Sequence, residues 1–155
     1  MLLLETAIVR LLSLPRIPLV AYCAPQVLRL DDEVCVVRVP LCFRTRNHVG
    51  TMYVAALTCG ADVAGGLHVA KAVYFGRKKL SFLFKTLSSE FLKRADGDVE
   101  FTCVQGRQIT EAIARAEQSG ERVELPLQIL ATVPDRHGAD PVARFEALLS
   151  LKRSR

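Results

Sequence analysis

Apolar residues recur at helical spacing in the opening stretch: Leu3, Leu4, Ala7, Ile8, Leu11, Leu12 and Leu14. This spacing predicts an amphipathic helix, ended by Pro15-Arg16-Ile17-Pro18. The period then changes. Residues 27–30 and 33–41 read as two strands joined at the turn-prone pair Asp31-Asp32, with Val34, Val36, Val37 and Val39 giving the second its β-branched weight. Asn47 and Gly50 mark a turn, Thr51 offers itself as an N-cap, and a long helix rich in small residues follows: Ala55, Ala56, Cys59, Gly60, Val63 and Ala64. Gly65-Gly66 predict a break or kink there, since each glycine weakens a helix by ~1 kcal/mol. Helical spacing resumes through Leu67, Ala70, Val73 and Tyr74 up to Gly76.

Beyond Gly76 the period is two. Residues 80–87, 99–103, 123–133 and 145–151 predict strands, with a helix as the alternative for the last, and residues 110–118 predict a short helix closed by Gly120. Pro126 inside the third of these strands predicts a sheet edge or a bulge. The order is helix, two strands, long apolar helix, then four strands with a small helix among them. One antiparallel sheet curled around one buried helix satisfies it in a single α+β domain, with residues 1–24 as helix and lead-in and residues 152–155 as a basic tail.

Composition narrows the function. With 50% apolar and 24% charged residues over 155 positions, the chain is globular. Its net charge of +5 is concentrated in Lys152-Arg153-Ser154-Arg155 and Arg77-Lys78-Lys79. With three Tyr, no Trp and no basic stretch interleaved with aromatics, nucleic acid is not an expected partner. Five cysteines, odd in number and without CxxC spacing, argue against structural zinc and a disulfide framework and point to a reducing, cytoplasmic setting. His48, His68 and His137 have no metal-ligand spacing, so no metal is expected. Glu5 and Arg10 interrupt any signal peptide, and the first helix is expected to dock on the domain, because its polar face lacks the Lys/Arg-rich character of a membrane-surface helix.

One residue in the long helix is chemically out of place. Thr51, Ala55, Thr58 and Asp62 recur at steps of four, three and four, so they share one narrow stripe on an otherwise apolar rod. An acid there is costly unless it is paired or put to use.

These residues resemble the hotdog-fold thioesterase-like proteins of the phenylacetate-type branch and their DUF4442-like relatives. Asn47, the pair Gly50-Thr51 and, twelve residues on, Asp62 resemble that family's Asn, Gly-Thr, His-Gly-Gly and Leu-Ala-Asp/Glu pattern. Ser89-Glu90-Phe91-Leu92-Lys93-Arg94-Ala95-Asp96-Gly97 resembles its later strand. The resemblance implies a hotdog fold, a homodimer that can pair further into a tetramer, and hydrolysis of an acyl-coenzyme A or acyl-carrier-protein thioester with no cofactor beyond that substrate. It implies that Asp62 is the base or nucleophile at the dimer interface, that Asn47 holds water or substrate, and that Gly50, Tyr53, Val54, Ala55 and Thr58 contact the substrate. The N–H groups near Val54 and Ala55 would polarise the carbonyl, a role that suits the positive end of a helix.

Tyr53, Val54 and Ala55 stand where the family has His-Gly-Gly, which places Cβ atoms where the backbone approaches the thioester. A non-catalytic hotdog module that binds an acyl ligand or a partner therefore stays open. So does, more remotely, a dehydratase, which needs a His at the helix mouth. Asp62 as a structural ion-pair partner, Asn47 as a turn residue and Arg77-Lys78-Lys79 as a solvated loop or a phosphate grip are further alternatives.

Overall fold

The computed structural model describes residues 1–154. Arg155, the last residue of the expected basic tail, lies outside them. The chain opens with helix α1 (Leu3–Arg16) and a short helix α2 (Pro18–Cys23), followed by strands β1 (Gln26–Leu30) and β2 (Cys35–Val39). The long helix α3 (Val54–Tyr74) comes next, then β3 (Leu80–Phe91), β4 (Val99–Cys103), α4 (Gly106–Ser119), β5 (Val123–Thr132), the single turn α5 (Pro134–His137) and β6 (Pro141–Arg153). The strands form one antiparallel sheet in the order β1-β2-β4-β5-β6-β3. The sheet curls around α3, which packs on β2, β4, β5 and β6; this is the hotdog arrangement. Phe101, Phe145, Leu127, Ile129 and Leu149 of the sheet fill the space between, all essentially inaccessible. No helix among the described residues is long and apolar enough to cross a membrane.

Several local expectations are corrected. α3 starts at Val54 with Tyr53, not Thr51, as its N-cap, because Thr51 is held in the preceding turn by Asn47. Gly65-Gly66 do not break the helix. A Cβ on Gly65 would stand 3.3 Å from the Phe84 ring and 3.5 Å from Leu127 and Ile129, so the pair is the flat face on which the sheet's side chains rest. That burial outweighs the weak local propensity. α2 and α5 were not foreseen; in each a proline occupies the first turn, where its missing N–H costs nothing. Lys152 and Arg153 belong to β6 rather than to a loose tail, and the helical alternative for the last segment falls because residues 143–153 pair with β3.

Pro126 lies in β5, between β4 and β6 in the sheet. β4 reaches only residues 130–132 of β5, so the β4-side edge at Pro126 is locally free. The Gln105 side chain fills it, donating from Nε2 to the Pro126 carbonyl (3.0 Å) and accepting at Oε1 from the Gln128 N–H (2.7 Å). The edge that the proline requires exists inside an interior strand.

α1 is docked by its polar residues. The Val27 N–H donates to Thr6 Oγ1 (2.9 Å), and Arg10 donates from Nε to the Pro25 carbonyl (3.0 Å) and from Nη2 to that of Ala24 (2.9 Å). The residues that argued against a signal peptide thus include one that clamps α1 to the start of β1.

Candidate functional site

The surroundings of Asp62 are set by the placement of α1. Lying along α3, α1 encloses a cavity of about 280 Å3, just under the ~300–1,000 Å3 common for small-molecule sites. Ile8 and Leu12 of α1, Val63 and Leu67 of α3, Leu30 of β1 and Phe82 of β3 form its apolar walls. Gly66 contributes bare backbone to the same wall, which deepens it. Glu5, Arg16 and Lys71 also border it, with the Arg16 guanidinium 5.4 Å from the centre of the Tyr74 ring.

Asp62 enters this cavity from α3. Between Ala56 and Val69 only Thr58 and Asp62 stop short of full burial, so the polar stripe expected from the spacing is the open side of the helix. Burial pushes the Asp62 carboxyl above the ordinary aspartate range, and no neighbouring charge or hydrogen bond counters that shift. Among the described residues Asp62 has no ion-pair partner. A desolvated carboxylate of this kind is suited to taking a proton near neutral pH.

The mouth of α3 holds the second set of groups. Tyr53 has extended backbone (φ −70°, ψ 143°), its N–H donates to the Thr45 carbonyl (2.7 Å), and no side chain caps the first turn. The N–H groups of Val54 and Ala55 are left as open donors at the positive end of a 21-residue helix. Tyr53 and Val54 are both about half exposed there. Ala55 and Asp62 lie on nearly the same side of the helix but about 10 Å apart along its axis.

Asn47 is occupied elsewhere. Its Oδ1 accepts from the N–H groups of Val49 (3.0 Å) and Thr51 (3.1 Å), and its Nδ2 donates to Thr51 Oγ1 (2.9 Å). Gly50 completes this turn at φ +83°, a conformation that favours glycine. Of the residues expected at the site, the structure puts Thr58 on the stripe with Asp62, and Tyr53, Val54 and Ala55 at the mouth. Asn47 and Gly50 build the turn that leads into it.

Sequence reasoning missed the α1 residues that wall the cavity, since nothing local says which helix faces which. It also missed a pair of buried thiols one turn before Asp62. The neighbouring Cys59 thiol and Arg44 draw the Cys23 thiol below the usual range. Cys35 and Cys103 face each other across β2 and β4 as buried apolar groups, their thiols pushed up by burial. His68, buried on α3, donates from Nε2 to the Asp31 carbonyl (2.8 Å), pinning the helix to the β1–β2 turn. Among the described residues no cluster of His, Cys, Asp or Glu is arranged to hold a metal. At the other end of α3, Arg77 and Lys79 border a separate cleft, where Lys78 pairs with Glu117 (2.5 Å).

A curled antiparallel sheet around one apolar helix, with the helix mouth open and an acid two turns in, defines the chain as a hotdog-fold protein. It belongs to the family described as Domain of unknown function (DUF4442), which matches residues 6–149. Among solved structures it is similar to a Pseudomonas aeruginosa protein of unknown function, PA5026, described as a probable thioesterase: 23% identity, 96% of this chain and 95% of that one, TM-score 0.75. It is also similar to a mutant of the Staphylococcus aureus thioesterase SAV0944 (13% identity, 87% of this chain and 98% of that one, TM-score 0.64). A mutant of the P. aeruginosa thioesterase PA1618 is comparable, at 14% identity, 86% of this chain and 84% of that one, and TM-score 0.63. At these identities the likeness shows the fold. No match was found among curated proteins.

Proposed function

We propose that the protein hydrolyses an acyl thioester, carried on coenzyme A or on an acyl-carrier protein, with Asp62 as the base or the nucleophile. The observation that carries this reading is the Asp62 carboxyl, without an ion-pair partner among the described residues, on the wall of a mainly apolar cavity. A structural acid would have a partner; this one has room beside it for an acyl chain. In the base form of the step, Asp62 takes a proton from water as the water oxygen bonds to the thioester carbon. The C–S bond then breaks, the sulfur leaves with the proton, and the carboxylic acid is released. N–H groups at an α3 mouth receive the oxyanion as it forms.

The mouth and the acid of one helix, about 10 Å apart, cannot both touch one carbonyl group. A second copy supplies the missing half. β3 is a 12-residue edge strand paired only with β6, with Leu83, Leu87 and Phe91 exposed, and such an edge is a template for pairing with another chain. We expect a homodimer joined at β3, in which Asp62 of one copy works with the mouth of the other. Light scattering across micromolar concentrations should give twice 17.1 kDa or a multiple of it; a stable species at 17.1 kDa would remove this assembly.

The side chains of Tyr53, Val54 and Ala55 at the mouth favour a second reading, in which the cavity binds an acyl ligand without turnover. A panel of acyl-coenzyme A substrates of increasing chain length, assayed for free thiol, separates the two. Turnover that rises with apolar chain length and then falls supports hydrolysis, whereas saturable binding without thiol release supports the second reading. Gly66→Ala should shorten the longest chain accepted, because the added methyl group enters the cavity wall. It should also raise stability by up to ~1 kcal/mol, since the nearest atom to that methyl is an ordinary 3.6 Å away.

A further inference from the structure

α1 is apolar on both of its long faces, and the fold covers only one. Ile8 and Leu12 turn onto the cavity and Thr6 onto β1. At steps of four, four and three, Leu3, Ala7, Leu11 and Leu14 turn away from the protein, with Leu4 beside them. Leu3 is 71%, Leu4 69%, Leu11 70% and Leu14 63% exposed. Ile17 and Leu19, each more than half exposed, carry the apolar face on to α2. A contiguous exposed apolar patch of this kind marks an interaction surface.

The loop after β2 brings two cations to this side of the protein. No Asp or Glu occurs between Glu33 and Asp62, and the only acid in the first 30 residues, Glu5, borders the cavity. Arg16, like Glu5, is on the cavity side, over the Tyr74 ring. Arg44 lies over the ring of Tyr22 in α2 at 5.8 Å, and Arg46 lies over the exposed ring of Phe43 at 5.6 Å. Neither Arg44 nor Arg46 has an acidic partner among the described residues. Read alone, α1 lacks the cationic border of an interfacial helix; in the fold, the loop after β2 brings it.

We propose that the outer face of α1 and α2 docks on an anionic lipid surface, with Leu3, Leu11, Leu14 and Leu19 among the acyl chains. Arg44 and Arg46 then meet the headgroup phosphates, and Tyr22 and Phe43 sit at the boundary, where aromatic rings are favoured. A second copy of the chain would bring cations against cations on this face, and the β3 edge already offers it backbone pairing. In the docked state α1 has lipid on one side and the cavity on the other.

Flotation of the whole protein with vesicles tests this independently of any hydrolysis. The protein should float with vesicles of equal parts phosphatidylcholine and phosphatidylglycerol, more weakly as salt rises, and poorly with phosphatidylcholine alone. Leu11→Glu together with Leu14→Glu should lower binding about tenfold or more, with melting unchanged because both side chains are exposed. The chain has no tryptophan, so Leu14→Trp adds a single reporter, whose emission should move to the blue with the anionic vesicles. An unmoved emission, flotation indifferent to the glutamate pair, or equal flotation with both vesicle types would each overturn the proposal. A glutamate pair that shrinks the assembly in light scattering, without vesicle binding by the parent protein, would instead make this face a contact between copies.

Discussion

Asp62→Asn is expected to lower kcat for thiol release by about 100-fold or more, with little change in KM. The substitution keeps the side chain's size and removes only the negative charge that the proposed mechanism uses to activate water or attack the thioester. Its effect on stability runs the other way. Burial raises the Asp62 pKa in the folded chain, so ionisation costs more there than in the unfolded chain. Below the ordinary aspartate value of 3.8 both states hold the proton and the wild type has its full stability. As pH climbs from there through the raised folded value, that contribution is lost. The amide does not titrate. The variant should therefore melt at or above the wild type at neutral pH, with the difference closing as pH falls toward 3.8. Melting curves from pH 3 to 8 beside thiol-release assays on the same preparations make the comparison. If Asp62 were instead held by an ion pair, the variant would lose ~3–5 kcal/mol and keep its specific activity.

Gly60→Ala should destabilise the protein, although alanine is the better helix former by up to ~1 kcal/mol. An ideal Cβ at Gly60 would lie 2.2 Å from Phe101 Cε2 and 2.5 Å from its Cζ. The ring has nowhere to retreat: it is fully buried and stacks at a tilt against Phe145, centre to centre 6.2 Å. Overpacking of this kind costs ~1–3 kcal/mol, enough to cancel the helical gain and lower the melting temperature by several degrees. Phe101→Leu in the same chain should recover part of the loss, with a coupling of about 0.5 kcal/mol or more in a double-mutant cycle read by urea denaturation. A Gly60→Ala protein that melts at or above the wild type would mean that α3 does not lie this close to β4.

Much of the architecture is legible in the order of the residues. Alternation at Val99, Phe101 and Cys103 and at Leu127, Ile129 and Ala131 corresponds to strand positions that are fully buried. The small residues from Ala55 to Ala64 mark a helix able to lie close to a sheet, and Gly60 against Phe101 shows how close. Thr58 and Asp62 form the one incompletely buried stripe of the buried helix, as their spacing predicts. Less of the site is legible. A turn such as that of Asn47 and Gly50 announces itself through local hydrogen bonding and positive φ, but whether its amide is free for substrate depends on the neighbours it has already bonded.

The chain by itself determined the periods, the turn before α3 and the presence of one acid on an apolar helix, because each depends on residues within a few positions of one another. Only the tertiary structure decided that Gly65-Gly66 stay helical, that Pro126 sits inside the sheet, and that α1 walls a cavity around Asp62. Those outcomes depend on Phe84 resting on Gly65, Gln105 standing in for a strand at Pro126, and Thr6 bonding Val27. Such contacts join positions 20 or so residues apart, where no local period reports which faces meet, and burial and hydrogen bonding there outweigh the ~1 kcal/mol preferences of single residues.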